Sequence, residues 1–328
     1  MKIDFVIPWV DGNDPRWQSQ RNLHCPQPEA LDESRYREWD ILHYWFRAVE
    51  KYAPWVNRIF FITCGQCPPW LNRNHPKLRL VDHKDFIPLE YLPTFNSMTI
   101  ELNLHRISDL SEHFVYFNDD VFLNRPVCAE DFFIDGLPRD AAIMTNLTPG
   151  TVFDPHIHAI CNVMAIINTH FRKKTVLRQN PGKWYSLKYG KGLIKNLLNT
   201  PGSRFSCFSN PHIATALRKS SFEAVWQLEP DALDTACRNK FRELNSINQY
   251  LIRYYQLCSG SFVPRRADLG ICYDIGYNDE AMYRDIRSGN HKLICVNDNV
   301  SVQDFEANKL RLIAAFQAVL PEKSSFEL

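Results

Sequence analysis

The chain has 328 residues, with 38 Lys and Arg against 37 Asp and Glu, a formal net charge of +1, and 45% hydrophobic residues. That balance fits a globular chain with a large core and argues against a dedicated nucleic-acid binder, whose footprint is strongly basic. Its 8 Trp, 13 Tyr and 21 Phe exclude a mainly disordered protein.

The start, MKIDFVIPWVDGNDP, has its apolar run broken by Asp4 and Asp11 and does not read as a signal peptide. No stretch approaches the roughly 20 apolar residues of a membrane span. The 10 cysteines are therefore expected as free thiols of a cytoplasmic protein. Cys64 and Cys67 form a C-G-Q-C pair without a second half at zinc spacing, which reads as incidental buried thiols.

Ile3 to Val10 reads as a buried strand that runs into the turn cluster Asp11-Gly12-Asn13-Asp14-Pro15. Leu42, Trp45, Phe46, Val49 and Tyr52 recur at helical spacing, and Pro54 stops that helix. Arg58 to Thr63 and Leu78 to Val81 are further strands. A helix is expected from Ser97 to Ser108, and Phe114 to Phe117 is a strand closed by Asn118-Asp119-Asp120. This alternation predicts an α/β fold: a Rossmann-like, open, mostly parallel sheet, with a helical C-terminal portion packed on it. In that second half the expected helices are Ser221 to Trp226, Asp231 to Leu257 and Phe305 to Leu320. Residues 171–204 read as a long Gly/Pro/Lys-rich loop or insertion that carries nine Lys and Arg and no acidic residue.

The sharpest chemical signal is the acidic pair at the end of the fourth strand. Two carboxylates there suit Mg2+ or Mn2+ held against a diphosphate; an Asn/Asp turn is the plainer reading. Asp11-Gly12-Asn13 ends a strand on the same edge of the sheet, and Gly12 allows a close approach of backbone to ligand. Ser97 stands as a cap where a helix could face a phosphate. His43 with Arg47, and Glu101 with His105, are i, i+4 neighbours that read as surface pairs. His212 follows Asn210-Pro211 in a turn, and Arg242 falls inside the expected long helix.

IDFVIPWVDGNDP resembles the first block of the Stealth family of hexose-1-phosphate transferases. FRAVEKYAPWVNRIFFITCGQCPPWLN, LPTFNSMTIELNLHRI and FVYFNDDVFL resemble the second, SNPHIATALRKSSFEAVW through KFRELNSINQYL the third, and CVNDNVSVQDFEANKLRLIAAFQAVLPEKSSFEL the fourth. That family includes bacterial enzymes of capsular and surface polysaccharide synthesis and the animal N-acetylglucosamine-1-phosphotransferase. The resemblance implies one catalytic unit over 1–328, with a nucleotide-sugar-binding part over 1–145 and a mainly helical part over 205–328 completing the site. It implies transfer of a hexose 1-phosphate, with an N-acetylhexosamine favoured, from a UDP-sugar to a hydroxyl of a saccharide or lipid-linked saccharide, with release of UMP. The catalytic residues it implies are Asp120, His212 and Arg242. Donor binding falls to Asp11, Gly12, Asn13, Arg47 and Ser97, and Mg2+ or Mn2+ to Asp119, Asp120 and Asp298 within Asn297-Asp298-Asn299. The alternative is a metal-dependent glycosyltransferase that attacks the anomeric carbon and releases UDP. The nine cations of 171–204 would hold a polyanionic product, or draw the chain to the anionic inner face of the cell membrane. The stripe Leu310, Ile313, Phe316 and Leu320 on the last helix is expected to pack on the domain.

Overall fold

The structure is a computed structural model, and it describes residues 1–25, 36–148, 154–277, 279–298 and 304–328. The first half alternates strand and helix: β1 (Ile3–Pro8), α1 (Pro15–His24), α2 (Leu42–Tyr52), β2 (Ile59–Thr63), β3 (Leu78–Asp82), α3 (Ser97–Asn103), β4 (His113–Tyr116) and β5 (Val121–Leu123). Three short strands follow, β6 (Phe133–Ile134), β7 (Leu137–Asp140) and β8 (Met144–Thr145).

β1 to β4 are parallel and lie in the order β4-β1-β2-β3. β1, β2 and β4 are largely buried because both faces of the sheet are covered, whereas the edge strand β3 is buried only at Leu78. Ile3, Phe5 and Ile7 pack on one side with Trp45 and Phe46 of α2, whereas Val6 packs on the other with Ile100 and Leu102 of α3. The strand order reverses at β1. In such a sheet the ligand crevice lies beyond the carboxyl ends of the strands at that reversal, here β1 and β4.

The second half runs through α4 (Pro155–His170), α5 (Lys173–Gln179), α6 (Pro181–Trp184), α7 (Lys191–Asn199), β9 (Cys207–Phe208) and β10 (Thr215–Arg218). It continues with α8 (Lys219–Leu228), α9 (Pro230–Cys237), α10 (Tyr250–Cys258), β11 (Val263–Pro264), β12 (Gly270–Asp274), α11 (Asp279–Ser288), β13 (Leu293–Asn297) and α12 (Phe305–Val319). β10 joins the main sheet antiparallel to β4, while β12, β13 and β5 form a second sheet. Phe117 to Asp120 are therefore the joint between the two sheets. Across this joint the Val296 N–H donates to the Asp120 carbonyl at 2.9 Å.

α12 packs on α2, with Phe316 stacked on Tyr44 at 5.5 Å and tilted against Phe122 at 4.8 Å. Its buried face is Leu312, Ala315 and Phe316, and Leu310, expected on the same stripe, points to solvent. Beyond it Phe326 is buried beside Phe46, with ring centroids 5.4 Å apart. The Leu328 N–H then donates to the Trp70 carbonyl at 2.8 Å. Among the described residues no helix is long and apolar enough to cross a membrane.

Two expected elements of the second half are different in the structure. Residues 171–204 are not a loop: α5, α6 and α7 fill them. Their Pro and Gly punctuate helices without preventing them, since Pro181 takes the first position of α6, where no N–H is needed, and Gly190, at φ 54°, precedes α7. Nor are all nine cations solvated. The buried Lys173 ammonium donates to the carbonyls of Asn199 and Pro201, and that of Lys183 to Gly260 at 2.5 Å.

The single helix expected from Asp231 to Leu257 is two, α9 and α10, with residues 238–249 outside both. Tertiary hydrogen bonds take over there. The Lys240 carbonyl accepts from the Phe95 N–H at 2.9 Å, the Phe241 carbonyl from Asn96 Nδ2 at 3.1 Å, and Lys240 Nζ reaches the Leu92 carbonyl at 2.8 Å. Arg242 is consequently a loop residue.

One buried ion pair ties β7 to α10. Arg253 Nε and Nη2 donate to Asp140 at 2.6 and 2.9 Å, and Nη1 donates to the Ser209 carbonyl at 3.1 Å. Burial acts to raise the Asp140 carboxyl, yet the charge and hydrogen bonds of Arg253 win and hold it below the usual range. Asp140→Ala strands a buried guanidinium and is expected to cost about 3–5 kcal/mol in urea unfolding at neutral pH. Because the folded carboxyl is depressed, its contribution is present above the unfolded value of about 4 and is lost as pH falls through the folded one. The gap between wild type and Asp140→Ala should therefore narrow on acidification, and a constant gap would contradict the assignment.

Candidate active site

The joint puts Asn118, Asp119 and Asp120 at the carboxyl end of β4, beside the end of β1. Asp119 is exposed at its mouth yet closely surrounded. Desolvation, then the charges of Asp120 and Glu38, push its carboxyl up to about 7. Open water screens part of that repulsion, so the upward direction is what decides its chemistry. Asp120 is more enclosed. Its Oδ2 accepts from Cys295 Sγ at 3.3 Å, and its buried Oδ1 accepts no hydrogen bond among the described residues.

His212 comes to Asp120 from the other side of the chain. It has φ 48°, a left-handed conformation that a side chain pays for in strain, and its N–H donates to Asn210 Oδ1 at 3.3 Å. The turn is fixed at one end by β10 and at the other by the grip of Arg253 on Ser209. Its Nε2 lies 3.0 Å from Asn118 Nδ2 and 3.5 Å from Asp120 Oδ2. Burial disfavours the imidazolium, but the hydrogen bond and charge of Asp120 outweigh it and raise His212 to about 9. With Nε2 protonated, Asn118 presents its amide oxygen to the ring, the two orientations of an amide being alike in shape.

Arg242 Nη2 donates to Ser97 Oγ at 3.1 Å. Ser97 is the first residue of α3, and the cap is Asn96, whose side chain accepts from the Met98 N–H at 3.2 Å. Glu101 and His105 are not a surface pair. Glu101 is buried and accepts from the Gln249 N–H at 3.2 Å and from the Tyr116 hydroxyl at 3.3 Å, while His105 stacks on Phe222. Burial raises the Glu101 carboxyl, against the pull of the Gln249 N–H, Arg242 and Tyr116. Glu101 thus sits between Arg242 and His212 electrostatically. Nothing local in the sequence marks it except its place one turn after Ser97.

The β1 turn is organised by Gln66. Its side chain accepts from the Asp11 N–H at 2.9 Å and donates to the Asp11 carbonyl at 3.1 Å, and Asp11 Oδ1 in turn accepts from the Asn13 N–H at 2.9 Å. Gly12 is needed for packing within the chain: a Cβ there would lie 2.2 Å from the Tyr36 carbonyl oxygen. Glu38, half-buried and raised mainly by desolvation, feels the charge of Asp11 and also acts on Asp119. It therefore links the two strand ends, a role the sequence does not announce.

Arg47 is placed elsewhere. Its guanidinium clasps Glu327 at 2.8 and 2.7 Å and reaches the Leu320 carbonyl at 2.9 Å, which commits it to the C-terminal packing. Asp298 accepts from Trp39 Nε1 at 3.1 Å and lies 3.6 Å from Arg37 Nε; Asn299 lies outside the described residues. The ligand atoms of Asp120, His212 and Cys295 lie within 4.8 Å of one another, the one such trio among the described residues, and Asp119 and Asp298 do not join it. The unpartnered Oδ1 of Asp120 next to a second carboxylate fits a hard divalent cation that takes its other ligands from phosphate and water. All 10 cysteines are free, and burial raises the Cys64 thiol to about 11.

Residues 1–22 match the family model for Stealth protein CR1, conserved region 1, and residues 35–139 that for Stealth protein CR2, conserved region 2. Across 99% of its length the chain is 44% identical to a capsular polysaccharide phosphotransferase WcwK of Streptococcus pneumoniae, of which 98% is covered. It is 43% identical to the exopolysaccharide phosphotransferase cps2G of Lactiplantibacillus plantarum, over 99% of this chain and 96% of that one. The receptor polysaccharide phosphotransferase WefC of Streptococcus gordonii is 40% identical, over 100% and 99% of the two chains.

The geometry makes one electrostatic prediction. Asp120→Asn removes the anion that holds the proton on His212, so the His212 pKa should fall from about 9 to or below the ordinary 6.5. NMR titration of the imidazole reads this directly, and an unchanged value would show that Asp120 is not the controlling charge.

Proposed function

The chain belongs to the Stealth family, and on that footing we propose that it transfers a hexose 1-phosphate from a UDP-sugar to a hydroxyl of a saccharide or lipid-linked saccharide. The product is a phosphodiester in a capsule or surface polysaccharide, and UMP leaves. The names carried by its relatives along nearly their whole length support phosphotransfer in polysaccharide synthesis. The observation that carries the mechanism is the meeting of Asp120 with His212, next to Asp119, at the crevice where the strand order reverses.

The acceptor oxygen bonds to the β-phosphorus, and the bond from that phosphorus to the oxygen bridging to the α-phosphate breaks. The bond from C1 of the sugar to its oxygen is untouched, so the anomeric configuration is kept. Asp119, at the mouth of the site and raised by desolvation and then by the charges of Asp120 and Glu38, accepts the hydroxyl proton. His212 Nε2 already faces Asp120 and Asn118, which suits it to hold a proton and present positive charge to a phosphoryl oxygen. Arg242, braced on Ser97, offers its planar fork to the phosphate. Mg2+ or Mn2+ would be held by Asp120, beside Asp119, and would neutralise charge on the diphosphate.

The test is turnover on a panel of UDP-sugars with nucleotide release identified by chromatography. UMP release that stops with a chelator and returns with Mg2+ is expected. Folded Asp119→Asn and His212→Gln should each lose roughly 10²–10⁴ in kcat, the range for a displaced proton-transfer or charge-stabilising group. Release of UDP would overturn the reading in favour of glycosyl transfer. Wild-type rates in His212→Gln would remove that residue from the mechanism.

A further inference from the structure

α7 is turned inside out. Leu197, Ile194 and Leu198 fall within an arc of about 100° on the helix, with Lys191 and Lys195 next to it. These three apolar side chains are exposed by 57%, 59% and 75%, and Leu187, just ahead of the helix, by 86%. The buried residues of α7 are Gly192 and Asn196.

This orientation is fixed by hydrogen bonds and by fit. Asn196 is fully buried, and its Nδ2 donates to the carbonyls of Ala142 at 2.7 Å and Trp184 at 2.5 Å, while its Oδ1 accepts from the Met144 N–H at 2.6 Å. Gly192 lies so close to Ile143 that a Cβ would fall 2.5 Å from its Cδ1. Rolling the helix to bury its leucines would strand three buried polar partners.

The segment that carries α7 is all of one sign. Residues 171–204 contain no acidic side chain, and Arg172, Lys174, Arg178, Lys191, Lys195 and Arg204 are exposed. Lys174 and Arg178 also line an open groove with Leu177, Tyr185 and Pro201, at the carboxyl end of α7.

We propose that the outer face of α7 docks this protein on an anionic lipid bilayer, with its leucines in the headgroup region and the flanking cations on lipid phosphates. A second copy of the chain would cover the leucines but would set this basic segment, which has no carboxylate of its own, against itself. An anionic polysaccharide would pair with the cations and leave the leucines in water. A bilayer satisfies both. The proposal stands apart from the reaction chemistry, because the surface contains no residue of the active site and binding can be read without substrate.

The experiment is co-sedimentation of the full chain with vesicles of phosphatidylcholine alone or with added phosphatidylglycerol. Binding to the anionic vesicles should be at least about tenfold tighter and should weaken with salt. The combined variant Leu187→Ser, Ile194→Ser, Leu197→Ser, Leu198→Ser should lose about tenfold or more of that binding while keeping its unfolding temperature. Lys191→Glu with Lys195→Glu should flatten the salt dependence. Ile194→Trp in the otherwise unchanged chain should shift its emission to the blue with anionic vesicles only. The proposal is overturned if the wild type ignores anionic vesicles, or if the serine variant binds them equally well. It is also overturned if light scattering shows a dimer that the serine variant dissociates, which would make a second copy the occupant.

Discussion

The chain must leave one sheet at Tyr116 and enter another at Val121, and that junction governs the site. Phe117 is held to β1 by its N–H to the Val6 carbonyl at 2.9 Å, and Asp120 is held to β13 through its carbonyl. Between these anchors the backbone that carries two adjacent carboxylates is fixed. His212 answers this negative charge. His212 approaches Asp120 from a strained turn, while Arg242, on a loop braced on α3, acts on Glu101.

The positive side is held as firmly as the negative. The buried Asp140–Arg253 pair grips the Ser209 carbonyl, and Ser209 leads directly into Asn210-Pro211-His212. β10 takes over at Thr215 and ties the turn to β4 itself. The imidazole is thus located by the same strand that delivers the acidic pair. Such short mechanical paths between opposed charges keep a site organised without ligand, the condition for electrostatic catalysis.

Much of the first half is legible in sequence for a simple reason. A parallel strand buried on both faces is a continuous apolar run, as in Ile59–Thr63, and an amphipathic helix such as α2 repeats its apolar residues at its own period. The acidic pair is legible because it closes such a run. What is not legible depends on distant partners. The residues near Lys240, expected as helix, instead make hydrogen bonds with Leu92, Phe95 and Asn96, and no local pattern announces that competition. Glu101 looks like a surface carboxylate because its neighbours Tyr116 and Gln249 lie far along the chain. Cys295 joins Asp120 only because β13 pairs with β5, and Gly12 is needed only because Tyr36 returns over it. α7 lies in a stretch that reads as a loop, and the outward direction of its apolar face is set by the buried Asn196.

Phe326 beside Phe46, with Arg47 clasping Glu327, has a consequence for the order of events during synthesis. One side of the central sheet is built from β1, β2 and α2, all made early, yet α12 and the segment around Phe326 close it. A nascent chain carries that apolar face uncovered until α12 and Phe326 have emerged. Contacts of such long sequence separation are slow to form and leave sticky surface in the interval. The N-terminal half should depend on chaperone shelter while its partner is still being translated. Early-stalled chains should aggregate, however stable the finished protein is.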